Sequence, residues 1–479
     1  MHRKASDLTS AFVGRRMGRR ELVRRMGQLG LGAAAANFLL NRASTRALAA
    51  DFDWKKHEGT SLQLLMNKHP YMDAMVANLD NFKELTGMDV QYDVFPEDVY
   101  FDKVTATLSS GSSQYDAFMT GAYQTWQYGP AGWLVDMAEL IDDPELTAPN
   151  YDWEDILPNL RSSTAWSGVP GAALGGDGAK QWAIPWGFEL NSLSYNRRIF
   201  EQAGIASPPK DLAELMEQAA KITTDVPDVY GIGVRGSRSW ATIHPGYLSG
   251  FSNYGARDFN VDNGKLTAAM NSDAGKTFTR QWVEMIQNSG PRNWSTYTWY
   301  QVGTDLGAGA SGMIYDADIL GYFQNGGTPE AGNIAYSAFA PNPDADAPTP
   351  NVWIWSLGMN ANGEQQDAAW YFVQWASGTE HGLFGAREMD FVNPVRQSVW
   401  DDEAFRDRIA KSYPGYLEQY EASAPGSKIY FTPQPLFFNL TTGWAASLQR
   451  MVAGEVPVDE GLDQLAESVN GQLKSAGLG

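Results

Sequence analysis

From Ser61 onward, short apolar runs alternate with longer stretches whose apolar residues recur at helical spacing. Residues 62–66 form a short, mainly apolar run that ends at Asn67; helical spacing then covers 71–85 and is closed by Gly87. Residues 89–95 alternate as a strand does, 100–108 return to helical spacing, and 115–120 read as a strand again. This β-α-β-α-β order predicts an α/β domain with a largely parallel sheet. Ligands of such sheets bind where the strands end, here the loops at 67–71 and 120–126. Further strands are predicted at 193–195, 230–234, 312–315, 334–339 and 352–359, and helices at 212–223, 273–287, 365–377 and 441–452. The proline-rich stretch 341–350 predicts a structureless connector and is the expected crossing between two lobes. There is no internal repeat.

The first fifty residues break this pattern. Gly18-Arg19-Arg20-Glu21-Leu22-Val23 places an arginine pair before an apolar step, a weakly apolar Gly/Ala-rich stretch runs from Met26 to Leu40, and Ala47-Leu48-Ala49 has a small-x-small form. In that order they predict a twin-arginine export signal at residues 1–49, cleaved after Ala49. A basic nucleic-acid-binding arm would need neither the apolar stretch nor the Ala-x-Ala end. A protein exported to the periplasm has no access to cytoplasmic ATP or NAD, which argues against a kinase or dehydrogenase.

Charge sharpens the contrast. Of 36 basic and 56 acidic residues, ten and two lie in residues 1–49, which leaves 26 and 54, a net of −28, for the remainder. So acidic a body repels phosphate backbones and anionic lipid, so no nucleic-acid partner is expected and a neutral ligand fits better. The absence of cysteine excludes thiol catalysis, disulfides, cysteine metal sites and a lipid-anchor cysteine, and the mature protein is expected to be free rather than tethered.

Several separated segments carry a family likeness. Ala183-Ile184-Pro185-Trp186-Gly187-Phe188-Glu189, Leu193-Ser194-Tyr195-Asn196, Ala203-Gly204-Ile205 and Pro208-Pro209 resemble the core signature of family 1 extracellular solute-binding proteins. Tyr230-Gly231-Ile232, residues 309–316, 339–343, 353–359 and 367–375, and Asn393-Pro394-Val395-Arg396 agree in order and spacing. Arg235-Gly236, Gly312-Met313 with Asp316, and Trp353-x-Trp355 look closest to the sorbitol/mannitol-binding branch. The resemblance implies a maltose-binding-like (type II) periplasmic-binding fold: two α/β lobes joined by hinge strands, with the ligand cleft between them. The lobes are expected at residues 50–187 plus 352–394 and 188–351 plus 395–479. It further implies capture of a carbohydrate or sugar alcohol, transient docking on a membrane ABC permease, a monomer, and neither cofactor nor catalysis.

A sugar offers apolar C–H faces and a rim of hydroxyls, so its site needs aromatic plates and charged or amide groups. All 17 Trp lie beyond the export segment. Glu189 matches the position where maltose-binding relatives place an acidic hydroxyl ligand, and Trp186 lies beside it; the opposing reading of Glu189 is a solvated carboxylate after a Pro-Trp-Gly turn. Arg235 and Asp316 end strands, where ligand loops emerge, although they also qualify as an ion pair with each other. Asp318 qualifies equally as a helix cap. Trp353 and Trp355, two apart on a strand, share a face that lines a cleft or packs in the core. Arg396 follows Pro394 in a loop. Tyr123, Trp126, Trp240 and His69 complete the candidates, with packing as their alternative.

Other motifs fail. Gly307-x-Gly309-x-x-Gly312 precedes a strand instead of following one, Asp258-x-Asn260-x-Asp262 lacks the calcium-loop glycine and terminal acid, and Asn263-Gly264 reads as a turn. His57, His69, His244 and His381 are too scattered for a metal site. Two competing functions are a secreted glycoside hydrolase, using two of Glu189, Asp316 and Asp318, and a quaternary-amine binder with an aromatic cage.

Overall fold

The computed structural model describes residues 52–389 and 391–479; the predicted export segment lies outside them. Strands β1 (Ser61–Asn67), β2 (Asp89–Phe95) and β3 (Ala117–Gly121) come first, followed by the two-residue strands β4 (Ala165–Trp166) and β5 (Lys180–Gln181). The long β6 (Ile184–Asn196), β7 (Tyr230–Gly233), β8 (Phe259–Asp262), β9 (Lys265–Ala268), β10 (Ser311–Ala317), β11 (Ile334–Ser337) and β12 (Val352–Met359) complete the set. The main sheet runs β2-β1-β3-β12-β6-β10-β7, with β11 also on β6.

β6 joins two half-sheets. Through Leu190 it pairs antiparallel with β12; from Asn191 its partners are β10 and β11. On one side β1 pairs parallel with β2 and β3; on the other β7 pairs parallel with β10. β1 and β3 are almost wholly buried because helices cover both faces, whereas edge strand β2 is largely exposed. The result is the two-lobed architecture that the sequence leads one to expect.

Local chemistry corrects two expectations. Helical spacing over 71–85 is split into helices Pro70–Ala77 and Leu79–Thr86, because Asn78 leaves the helical region and its side chain reaches the His381 ring. The Pro-Trp-Gly segment is no turn but the start of β6. A register shift against β12 between Trp355 and Ser356 leaves Trp186 opposite no partner, a bulge that turns its side chain away from the neighbouring register. Gly187 is required there: a Cβ would lie 1.9 Å from the Tyr71 ring. Asn263 and Gly264, both at positive φ, make the β8–β9 turn as expected. The connector at 341–350 has neither helix nor strand, and it delivers the chain to Asn351 at the foot of β12.

Candidate functional site

The strands of both half-sheets deliver side chains to one cavity of about 50 Å³ between them. Lys68, His69 and Pro70 follow β1, Glu97 follows β2, and Trp353 and Trp355 stand on β12. From the other side come Arg235, Trp240 and His244 after β7, and Ile319, Leu320 and Phe323 after β10, with Trp299 from helix Trp299–Ala308. Glu189 lies on β6, where the two halves meet. A water needs roughly 10–15 Å³, so the space has room for a small solute.

Glu189 is held from two directions. The Trp355 indole Nε1 donates to its Oε1 at 2.7 Å, and His69 Nε2 lies 3.7 Å from the same oxygen. His69 Nδ1 accepts from the Tyr71 backbone N–H, capping helix Pro70–Ala77, which leaves the ring proton on Nε2, facing Glu189. Trp355 stands in register between Gly187 on β6 and Gly121 on β3. The absent side chains leave room for rings: a Cβ on Gly121 would meet Trp353 at 2.2 Å. Trp353 meets Trp355 edge-on at 5.1 Å and Trp240 at 5.4 Å, giving the cavity aromatic walls.

Arg235 supplies the opposing charge. Its guanidinium grips Asp316 through Nε and Nη2, at 2.7 Å for the shortest contact, while Asp316 is wholly buried. Burial works against the Arg235 charge, but the Asp316 carboxylate outweighs it and holds the arginine above its ordinary value. Arg235 Nη1 also faces His244 Nε2 at 3.3 Å. An arginine can only donate, so Nε2 accepts and the His244 proton sits on Nδ1. Burial and the Arg235 charge push His244 well below the usual imidazole value, so the ring is neutral.

Six of the twelve candidate side chains therefore meet in the cavity: His69, Glu189, Arg235, Trp240, Trp353 and Trp355. The structure does not bring the other six there. Asp316 stands behind Arg235 as its ion-pair partner. Asp318 is sealed in the hinge, accepting from Leu190 N and Asn393 Nδ2, with the Tyr416 hydroxyl oxygen 3.1 Å from its Oδ2. The Trp186 bulge aims its indole at the Ala376 carbonyl, 2.9 Å away. Arg396 is buried over the Tyr151 ring and bonds the carbonyls of Ser377 and Asp152. Tyr123 bonds Asn351 and the Val352 carbonyl, and with Trp126 it packs behind Trp353. Asp316, Tyr123 and Trp126 back residues of the cavity wall, whereas Asp318, Trp186 and Arg396 are bonded away from it.

The structure adds Lys68, Glu97, His244, Trp299 and Phe323 to the lining. Lys68 and Glu97 follow strands β1 and β2, so the strand-end rule contained that signal. His244 has no such signal, because only the fold carries it to Arg235. A second groove, about 670 Å³ and open, passes Arg257 and Lys428 but is lined by no tryptophan and no carboxylate. Among the described residues no cluster of His, Asp and Glu is arranged to hold a metal ion.

Known proteins resemble this chain in sequence and in fold. A family model described as bacterial extracellular solute-binding protein matches residues 67–382. An erythritol/L-threitol-binding protein of Mycolicibacterium smegmatis is 40% identical over 454 residues, spanning 92% of this chain and 94% of its own. A mannitol-binding protein of Pseudomonas aeruginosa is 23% identical over 344 residues, 70% of each chain. Among solved structures, an ABC transporter solute-binding protein of Agrobacterium vitis with bound D-mannitol superposes with a TM-score of 0.72 at 24% identity, covering 88% of this chain and 99% of that one.

Proposed function

This chain belongs to the bacterial extracellular solute-binding proteins, and on that premise we propose that it captures a short linear polyol for an ABC importer. The observation that carries this reading is the cavity itself. A carboxylate, an arginine and indole faces from both half-sheets surround a space suited to a few carbons. Glu189 accepts from hydroxyls, Arg235 donates to them, and Trp353, Trp355 and Trp240 cover the C–H faces. The relative at 40% identity takes four-carbon polyols by its name, which makes erythritol and L-threitol the first ligands to test.

The acid pairs expected for a hydrolase, two of Glu189, Asp316 and Asp318, do not meet in the cavity, because Asp316 is committed to Arg235 and Asp318 lies outside it. An aromatic cage for a quaternary amine is the alternative that titration separates from polyol capture. In this proposal the protein is exported by the signal at residues 1–49, works in the periplasm as a monomer, and docks transiently on its permease. The lobes divide near Leu190, where β6 changes partners, and they close over ligand.

Calorimetric titration with erythritol, L-threitol, ribitol, mannitol, maltose and glycine betaine tests the reading. The four-carbon polyols are expected to bind with the lowest dissociation constants. Preference for maltose or for betaine overturns it.

A further inference from the structure

Behind the cavity, on the far side of Glu189, a second carboxyl group ties the hinge together. Asp318 opens the helix Asp318–Gln324, whose Ile319, Leu320 and Phe323 line the cavity. Its Oδ1 accepts from the Leu190 backbone N–H at 3.2 Å, one residue beyond Glu189 on β6. Asn393, on the chain's return crossing, donates through Nδ2 to both Asp318 oxygens at 3.1 and 3.0 Å and to the Phe188 carbonyl at 2.9 Å. The Tyr416 hydroxyl lies 3.1 Å from Asp318 Oδ2 and 2.5 Å from Asn393 Oδ1. One carboxyl thus binds two crossing segments to the helix that forms one wall of the site.

Proton bookkeeping in this cluster is specific. Tyr416 has one hydroxyl proton and two acceptors in reach, and the shorter contact is to Asn393. With its proton given to Asn393, the Tyr416 oxygen is an acceptor facing Asp318 Oδ2, which a protonated carboxyl satisfies and a carboxylate does not. We propose that Asp318 is a positioning residue that carries a proton when the cleft is closed, so that ligand capture takes up one proton from solvent and release returns it. The proposal rests on the polyol-capture reading of the neighbouring cavity.

The surroundings agree. Burial first, then the Glu189 charge, push the Asp318 carboxyl up to about 7 against the bonds donated by Asn393 and Leu190. The titratable groups that face it are Glu189 on β6, Tyr71 on helix Pro70–Ala77, and Tyr416 and Tyr420 on helix Tyr416–Ser423. None is cationic, and burial holds all three tyrosines protonated. In this proposal, opening the hinge parts Leu190 and Asn393 from Asp318 and admits water, which returns the carboxyl toward its ordinary value.

The sign follows from linkage. A group whose value is higher in the closed form favours closure at low pH, and that advantage is lost as pH rises through about 7. For the wild type, the erythritol dissociation constant is expected to rise from about pH 5 to about pH 7, by up to about tenfold per unit, and to level off above. Titrations in two buffers of different ionisation enthalpy are expected to show uptake approaching one proton per ligand near about pH 6. Asp318→Asn, whose amide donates to Tyr416 as the protonated acid would, is expected to keep the low-pH affinity across the range. His69→Gln controls for the histidine beside Glu189 and is expected to retain the wild-type slope. Zero proton uptake, or a slope that disappears in His69→Gln and persists in Asp318→Asn, overturns the proposal. If no polyol binds, the ligand reading fails by itself. The proton linkage is then read from small-angle scattering, where a radius of gyration that is smaller at low pH in the wild type but not in Asp318→Asn supports it and one indifferent to pH overturns it.

Discussion

Glu189 and Asp318 are two buried carboxyl groups on either side of one strand, and their surroundings assign them different work. Glu189 faces a cavity, where an indole N–H takes one oxygen and polar side chains from both half-sheets share the space. Asp318, held through the amide of the next residue along β6, is enclosed by backbone, an asparagine and tyrosines. In the proposed function the acid open to the cavity recognises solute, and in the proposed proton linkage the sealed one regulates how the halves meet. Being buried and being in the binding site are separate properties here.

The largest expected effect tests a third acid, Asp316. Arg235→Met strands it without its partner, and a loss of about 3–5 kcal/mol of stability is expected in chemical denaturation. Arg235→Met combined with Asp316→Leu is expected to recover most of that loss while leaving erythritol binding impaired. Recovery of binding in the double variant would return Arg235 to a purely structural role.

Glu189→Gln keeps an acceptor for the Trp355 indole but removes the charge. Binding is expected to weaken by about 2–3 kcal/mol, roughly 30- to 150-fold by calorimetry, with stability changed by less than about 1 kcal/mol. The reverse pattern, an unchanged dissociation constant with a lower denaturation midpoint, would make Glu189 and Asp318 equivalent and erase the contrast.

Asp318 is expected to show itself in stability against pH. Its folded-state value is raised, so its contribution is complete below the ordinary carboxylate range and is lost as pH rises through about 7. The slope is at most about 1.4 kcal/mol per pH unit, and Asp318→Asn is expected to flatten it in a denaturation series.

The smallest effect concerns the aromatic walls. Gly121→Ala drives a methyl group into Trp353 and is expected to cost about 1 kcal/mol of polyol affinity. Fluorescence of the displaced indole reports the movement, and unchanged emission and affinity together would show that Trp353 is no wall of the site.

Much of this was legible beforehand because periodicity and strand-end rules report local physics. The β-α-β order, the Gly87 stop and the Asn263-Gly264 turn depend on neighbouring residues alone. The two-lobed fold was legible through the resemblance to a known family. Half of the candidate site was drawn from residue type and strand position, and those features say nothing of which face a bulge selects. The Trp186 bulge depends on a register shift against a strand more than 160 residues away, and only the folded sheet reveals it. Asp316 and Arg235 were recognisable as ion-pair partners, but which of the two would face the cavity was not. His244 became visible only through its contact with Arg235.

The most direct test of the central claim is a crystal structure of the protein grown with erythritol. Density for the polyol is expected between the half-sheets, with hydroxyls on Glu189 and Arg235 and a C–H face on Trp353 or Trp355. A polyol found instead in the open groove beside Arg257 and Lys428, with the Glu189 cavity unchanged, would contradict it.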